Sequence, residues 1–145
     1  MEIKFVKTHE EAMLPEKNHD CKSTGDAGYD LFSVEDVLIE AGCSAVVSVG
    51  LKLGYITPGY WFRIEPRSGL GFKKGLQPHL GIIDNGYRGD LGVKLYNFSS
   101  DTQVIKKGQG VAQIIPYFMI PSEVSFIDEV TKADRGEKGF GSSDK

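Results

Sequence analysis

Arginine, serine and glycine occur together in two parts of the chain, and these are the residue types that bind phosphate groups. Arg67, Ser68 and Gly69 are consecutive, and Arg135 begins a glycine-rich tail. Arginine makes bidentate contacts with phosphate oxygens, while glycine lets an anion approach the backbone closely. Neither GxxxxGK[ST] nor a complete GxGxxG occurs. The pattern therefore predicts a polyphosphate site that is built in some other way.

Asp84 is the carboxylate with the most distinctive local context. It follows the apolar residues Gly81-Ile-Ile and precedes Asn85-Gly86, which is a strong turn signal. A carboxylate at such a junction could act as a rigidly held general base. It could instead stabilise the turn by accepting hydrogen bonds from nearby backbone N–H groups. The local pattern alone favours the turn.

Two further residues are unusual for their surroundings. Gln113 interrupts the apolar run Val111–Ile115, so its amide needs polar partners if it is buried. Phe140 is an isolated aromatic residue in a charged, glycine-rich tail and has no core of its own to join. We expect a partner chain or a flat ligand face to cover it.

The elements that must position these residues are short β-strands. Turn signals recur about every ten residues, and no long stretch keeps a helical period. We predict an all-β, jelly-roll-like fold with one short helical turn at Ser68–Lys74 and an irregular surface connection over residues 7–26. The predicted strands are Ile3–Val6, Ala45–Gly54, Tyr60–Ile64, Gly92–Phe98, Val111–Tyr117 and Val124–Phe126.

Composition limits the classes of function. The 145 residues suit one catalytic domain, predicted over residues 1–130, followed by a flexible arm over residues 131–145. A net charge of −3 argues against a nucleic-acid or membrane partner. The spacing of Cys21 and Cys43 signals neither a zinc site nor a redox pair, and there is no targeting or transmembrane pattern. We expect a cytoplasmic protein.

Five motifs occur in order along the chain and together carry a family resemblance. They are Ala27-Gly-Tyr-Asp-Leu31, Pro66-Arg-Ser-Gly-Leu70, Gly81-Ile-Ile-Asp-Asn-Gly-Tyr-Arg-Gly89, Gly108-Gln-Gly-Val-Ala-Gln-Ile114 and Arg135-Gly-Glu-Lys-Gly-Phe-Gly-Ser-Ser143. In this respect the chain closely resembles the homotrimeric deoxyuridine triphosphatase (dUTPase) family. The resemblance implies hydrolysis of dUTP to dUMP and pyrophosphate with magnesium, which lowers dUTP and supplies dUMP for thymidylate synthesis. It also implies a homotrimer whose active sites are shared between subunits.

The resemblance also implies roles for individual residues. Asp84 would activate the water that attacks the α-phosphorus, with Arg67 and Gln113 also catalytic. Asp30 would contact water bound to Mg²⁺, which the substrate phosphates would mainly hold. Tyr87 would lie against the deoxyribose, and Phe140 would cap the uracil. The implied substrate-binding residues are Ser68, Gly69, Leu80, Gly81, Ile83, Tyr87, Arg135, Phe140, Gly141 and Ser142.

The chain departs from the usual family pattern at several positions. Gly86 replaces a second acid in the third motif, and Gln109-Gly110 replace the usual Asp-Arg of the fourth. The second change removes a possible salt bridge that could affect trimer packing. Gly71 stands where alanine is more usual.

Two alternatives to a dUTPase remain. One is a dCTP deaminase-like enzyme, which is usually longer and needs an additional acid. The other is a non-catalytic dUTP-binding regulatory module, which would be signalled by loss of Asp84, Tyr87 or the arm. All three are present.

Overall fold

The computed structural model describes residues 1–142, which form ten β-strands and one short helix joined by turns and irregular segments. Ser143, named in the fifth motif, and the rest of the predicted arm after it lie outside the described residues. The strands are β1 (Ile3–Lys7), β2 (Tyr29–Phe32), β3 (Val37–Ile39), β4 (Ser44–Ile56), β5 (Tyr60–Glu65), β6 (Leu76–Pro78), β7 (Gly81–Ile83), β8 (Asp90–Asn97), β9 (Gln103–Ile105) and β10 (Gly110–Phe118). The helix α1 spans Ser68–Lys74.

The strands form two four-stranded sheets and a two-stranded ribbon. One sheet has the order β1-β4-β8-β6, the other has the order β2-β10-β5-β7, and β3 pairs with β9. All of these pairings are antiparallel. The strand order places β10 at the centre of the second sheet and β7 at its edge. Both positions matter for the candidate site.

Alternation along the strands explains why they pack into a core. In β8, Leu91, Val93 and Leu95 are buried, while the residues between them are wholly or partly exposed. In β5, Phe62 and Ile64 point inward. A period of two places the apolar residues of each strand on the side where the two sheets meet. The outer face of the second sheet is left to polar and aromatic side chains.

The prediction of an all-β, jelly-roll-like fold with one short helix is confirmed. The helix has the predicted bounds, and five of the six predicted strands are present with ends shifted by one or two residues. The predicted strand Val124–Phe126 is wrong. Val124 and Phe126 are fully exposed, and no neighbouring strand pairs with them. A strand needs a hydrogen-bonding partner, and the rest of the described chain supplies none there.

The segment after β10 is extended and largely solvent-exposed. From residue 119 to residue 142 it contains no helix or strand, and several of its apolar side chains are exposed. Gly136 and Gly141 have φ values of 56° and 92°, in the left-handed region that glycine adopts readily. Within residues 1–142, no helix is long and apolar enough to cross a lipid bilayer.

Candidate active site

A polar cavity of about 400 Å³ lies beside the start of α1. It is formed where β2 and β10 of the second sheet approach the helix. The sequence-predicted residues Asp30, Arg67, Ser68, Gly69 and Gln113 all line it. The structure therefore brings together residues that three separate motifs contribute.

Arg67 and Asp30 form an ion pair at the wall of this cavity. Arg67 Nη2 lies 3.2 Å from Asp30 Oδ2, and Arg67 Nη1 donates a hydrogen bond to the carbonyl of Gly110 at 3.0 Å. Asn18 Nδ2 also approaches Asp30 Oδ2, at 3.4 Å. Burial raises the pKa of Asp30, and the neighbouring Arg67 charge acts in the opposite direction. The pair fixes the guanidinium group in a partly desolvated position.

Gln113 connects β10 to the turn before α1. Its Nε2 donates to the carbonyl of Pro66 at 2.9 Å, so the polar partner expected from the sequence is present. Gln113 also pairs across the sheet with Asp30 on one side and with Glu65 on the other. Because cross-strand partners share a face, Gln113 and Asp30 lie on the same outer surface of the sheet.

Ser68 is the first residue of α1 and not its cap. The N-cap is Arg67, which has an extended backbone and makes no side-chain cap. Ser68 therefore does not serve as the helix N-cap. Its side chain is exposed at the cavity, at the helix end where backbone N–H groups have no partner within the helix.

Asp84 lies just after β7, in the segment of residues 79–89 that joins the antiparallel strands β6 and β8. This segment is called the hairpin below, although β7 within it pairs with β5 and not with β8. The turn is closed by Tyr87 N–H, which donates to the Asp84 carbonyl at 3.0 Å. Asn85 Nδ2 donates to the carbonyls of Thr57 and Tyr60 at 3.1 and 2.8 Å, which ties the turn to the β4–β5 connection. The Asp84 side chain is exposed and lines a second cavity of about 450 Å³.

Tyr87 and Arg88 are held by this hairpin in different ways. The Tyr87 hydroxyl donates to the Asp90 carbonyl at 2.9 Å, while the ring stays 43% exposed. Arg88 Nη1 donates to the carbonyls of Asn85 and Tyr87 at 2.6 and 2.8 Å. The clustering of arginines near glycines pointed to phosphate binding, but Arg88 is engaged with the backbone of its own turn.

The strand β7, which carries Gly81 and Ile83, has a free edge. Among residues 1–142 it pairs only with β5, so backbone N–H and C=O groups on its other side are available to a ligand. Leu80, just before the strand, is exposed. This edge lies at Gly81 and Ile83, which the family resemblance implies are substrate-binding residues.

The two candidate regions are far apart within one chain. Gln113 pairs with Glu65, whereas Asp84 lies at the level of Trp61, with which it shares a cavity. Four residues along a strand and two strand spacings separate Asp84 from Gln113 by about 16 Å. Because a general base must act within hydrogen-bond distance of its reactant, Asp84 and Gln113 of one chain are too far apart to contact the same reacting atom.

The arm residues make few contacts with the rest of the chain. Arg135 Nε donates to the Lys138 carbonyl at 2.6 Å, and Ser142 N–H donates to the Gly139 carbonyl at 3.1 Å. Both bonds are local to the arm. Phe140 is fully exposed and followed by Gly141 at the positive φ described above. Within the described part of the arm, residues 131–142, no residue lines either cavity.

Several residues of the cavity were not identified from the sequence. Lys73 and Lys74 line it, and no sequence pattern singled out either of them. Both lysines lie in the last turn of the predicted helix Ser68–Lys74, so the sequence could have indicated that they lie near the phosphate-binding residues. Gly28 also matters, since a Cβ there would overlap Gln113 Oε1 and lie 2.9 Å from Gln113 Cδ. Gly28 directly precedes β2 and Gln113 lies in β10, so the spacing of residues along the chain does not predict this contact.

The metal-binding capacity of the described residues is limited. Residues 1–142 contain no group of three or more His, Cys, Asp and Glu side chains that could hold a metal ion. Asp30 is a single carboxylate whose two side-chain contacts are both to Oδ2. This arrangement fits Mg²⁺ that keeps its water molecules and is bound by substrate phosphates, because Mg²⁺ dehydrates reluctantly.

Comparisons with known proteins agree with this arrangement. The family model described as dUTPase matches residues 16–144. A relative named deoxyuridine 5'-triphosphate nucleotidohydrolase, from Nautilia profundicola, is 37% identical over 147 residues and covers 100% of both chains.

Solved structures show the same similarity. A variant dUTPase of Staphylococcus bacteriophage 80alpha, solved with dUpNHpp, has a TM-score of 0.87 at 29% identity and covers 98% of each chain. A variant dUTPase from phage phi11 of S. aureus, described with a coordinated structural Mg(II) ion, has a TM-score of 0.80 at 27% identity. That similarity covers 91% of this chain and 100% of the phage chain.

Proposed function

This chain belongs to the dUTPase family, and on that premise we propose that it hydrolyses dUTP to dUMP and pyrophosphate. The main structural support is the cavity in which Arg67, Ser68 and Gln113 converge from α1 and β10. Charged and amide donors around a cavity beside a helix start suit a chain of phosphates. The similar phage enzyme solved with dUpNHpp, a dUTP analogue, supports the choice of substrate.

The reaction is an in-line attack of water on the α-phosphorus. Asp84 accepts a proton from the water as the new P–O bond forms, and the bond from the α-phosphorus to the bridging oxygen breaks. Pyrophosphate leaves with the electron pair of that bond. An exposed carboxylate on a hairpin anchored by Asn85 is a suitable base because its backbone is held while its oxygens remain accessible.

The triphosphate is bound by residues of the first cavity and of the arm. Arg67 supplies charge, Ser68 and the backbone at Gly69 supply donors, and Gln113 supplies an amide. Arg135 reaches the terminal phosphate when the arm closes. Lys73 and Lys74 add positive charge on the same side, which helps a net-negative protein accept an anion.

Magnesium bound by the phosphates would neutralise part of the charge on the leaving group. Asp30 would contact this ion through a water molecule. Its Oδ1 has no hydrogen-bond partner among residues 1–142, so that oxygen can accept a bond from the water. The magnesium ion named for the phi11 enzyme is described there as structural, so the substrate-bound ion remains part of the proposal.

The nucleoside is recognised by the hairpin and the arm. The free edge of β7 around Leu80, Gly81 and Ile83 offers backbone groups to the uracil edge, much as a base pair would. Tyr87 packs against the deoxyribose and leaves no room for a 2′-hydroxyl. Phe140 stacks on the base, with Gly141 and Ser142 allowing the arm to fold over it.

We also propose that the working site is formed by three copies of the chain. Asp84 and the phosphate cavity are too far apart in one copy, and Phe140 has no local surface to cover it. The exposed apolar residues Ile82, Val124 and Phe126 give a neighbouring copy a surface to bury. One subunit then contributes the hairpin, a second the phosphate cavity and a third the arm. A cytoplasmic location remains a prediction.

A product assay tests the proposed activity. The protein is incubated with dUTP, dCTP, dTTP and UTP, with and without Mg²⁺, and the products are separated. We expect dUMP and pyrophosphate from dUTP alone. Ammonia from dCTP would favour the deaminase alternative, and orthophosphate from dUTP would contradict attack at the α-phosphorus. Binding of dUTP without turnover would favour a regulatory module.

A further inference from the structure

Gly110 provides the space that the Arg67 guanidinium occupies. A Cβ atom built on Gly110 would overlap Arg67 Nη1 and lie only 2.8 Å from Arg67 Cζ. The same nitrogen donates to the Gly110 carbonyl at 3.0 Å. The guanidinium thus occupies the space where a side chain at residue 110 would begin, and any side chain at this position would compete with it.

The backbone conformation does not explain why residue 110 is glycine. Gly110 is not among the residues with positive φ, so alanine is conformationally acceptable there. It lies at the start of β10, is buried, and pairs with Phe32 of β2. The space needed by Arg67 is therefore the physical constraint on this position.

We propose that Gly110 is a positioning residue for Arg67 in dUTP hydrolysis. With no Cβ at residue 110, the guanidinium bonds both to the Gly110 carbonyl and to Asp30 Oδ2, at 3.2 Å. Its remaining N–H groups are left for the phosphate chain in the cavity that it lines. The family pattern often carries arginine at this position, and here Arg67 occupies that space instead.

Substitution at this position should change the site more than the fold. The atoms that a new methyl group would meet belong to the end of a flexible side chain and not to backbone. Arg67 is partly exposed, so it can move towards solvent. We therefore expect Gly110→Ala to fold normally while the guanidinium leaves both of its partners.

The test is a double-mutant cycle with Gly110→Ala, Arg67→Ala and the combined variant, measured as kcat/KM for dUTP. Each single variant should lose roughly 10- to 100-fold, as expected when one hydrogen bond to a charged group is lost. The combined variant should be no worse than Arg67→Ala alone, because Gly110→Ala acts only through Arg67. Losses that multiply, or a Gly110→Ala variant with more than half of the wild-type kcat/KM, would overturn the proposal.

Gly92→Ala is the matched control. Gly92 is an exposed strand residue of β8 whose added Cβ would meet Val46 Cγ1 at 3.0 Å, and that valine is free to move. It should keep wild-type activity, and both glycine variants should keep the wild-type Tm within a few degrees. A Gly110→Ala variant that does not fold would contradict the expectation that the Arg67 side chain moves to make room for the new methyl group.

The activity measurement rests on the proposed function, so a structural readout is needed as well. Crystal structures of the wild-type protein and of Gly110→Ala report the guanidinium position whether or not dUTP is the substrate. A displaced Arg67 supports the proposal, and an Arg67 that keeps both contacts overturns it. If wild-type protein fails to hydrolyse dUTP, the proposed function fails while the positioning inference is still decided.

Discussion

At the scale of single residues, the chemistry depends on which side chains are fixed by hydrogen bonds and which remain accessible to a reactant. Arg67 is fixed by Asp30 and the Gly110 carbonyl, and Gln113 is fixed by the Pro66 carbonyl. Asp84 makes no side-chain hydrogen bond within residues 1–142, although its backbone is part of a closed turn. A base with accessible oxygens on a fixed backbone can accept a proton without first breaking another bond.

Asp84→Asn should separate binding from chemistry. The amide keeps the shape of the side chain but does not accept a proton at neutral pH, so kcat should fall by at least ~10²-fold. Affinity for dUpNHpp, measured by calorimetry, should stay within a few-fold of wild type. A variant that keeps more than a tenth of the wild-type kcat would exclude Asp84 as the base.

Cys21 should be unusually reactive towards alkylating agents. Hydrogen bonds from Thr24 and Ser23 stabilise the thiolate and lower the pKa of Cys21 to about 7. The rate of alkylation by iodoacetamide, followed by peptide mass spectrometry, should therefore rise with pH and reach half of its maximum near pH 7. Cys43 is also exposed and serves as an internal comparison. Thr24→Ala should move the midpoint to higher pH, and an unchanged midpoint would contradict this cause.

At the scale of elements, strand order decides what each part of the site can contribute. The central strand β10 brings Gln113 between Asp30 of β2 and Glu65 of β5. The edge strand β7 leaves backbone groups free beside Leu80 and Ile83. The described part of the arm, residues 131–142, pairs with no strand. The proposed role of the arm therefore needs a surface that a neighbouring copy would supply.

Deletion of residues 134–145 should abolish turnover and leave the β-domain folded. Core residues such as Phe62, Leu95 and Ile114 lie outside the deleted segment, so the Tm should change little. Activity should fall because Arg135 and Phe140 no longer close the site over the substrate. Steady-state kinetics and thermal unfolding of the truncated protein test this. Normal turnover by the truncated chain would exclude a role for the arm as a lid.

At the scale of the whole molecule, two features need an explanation. The hairpin and the phosphate cavity lie on the same outer face of one sheet but about 16 Å apart. Several apolar side chains on and after that sheet are exposed, among them Ile82, Phe118 and Phe126. The packing of neighbouring copies around shared sites, as proposed above, would account for both features.

Subunit mixing should restore activity to pairs of inactive variants. Asp84→Asn lacks the base and Arg67→Ala lacks the phosphate contact, so each protein alone should keep at most about a tenth of the wild-type activity. If hairpin and cavity come from different chains, random reassembly of an equal mixture gives about a quarter of the sites both intact parts. Activity is measured after joint refolding, with each variant refolded alone as the control. No recovery would mean that one chain supplies both parts.

The sequence by itself determined the local features of this protein. Alternating apolar residues predicted five of the strands, and the helix Ser68–Lys74 was predicted with its observed ends. The five motifs identified the family, and they named Asp30, Arg67, Ser68 and Gln113 before the structure placed them around one cavity. The sequence predicts such features because they depend on neighbours within a few residues along the chain. The roles given to these residues remain predictions.

Only the tertiary structure decided how distant parts of the chain meet. Arg67 and Gly110 are 43 residues apart, and the need for a glycine at residue 110 arises only when the strands bring them into contact. The same is true of Gly28 beside Gln113, and of the distance between Asp84 and the cavity. The error at Val124–Phe126 has a related cause, because a strand pattern does not reveal whether a partner strand is present. Steric fit and strand pairing are properties of residues in space, and their spacing along the chain does not encode them directly.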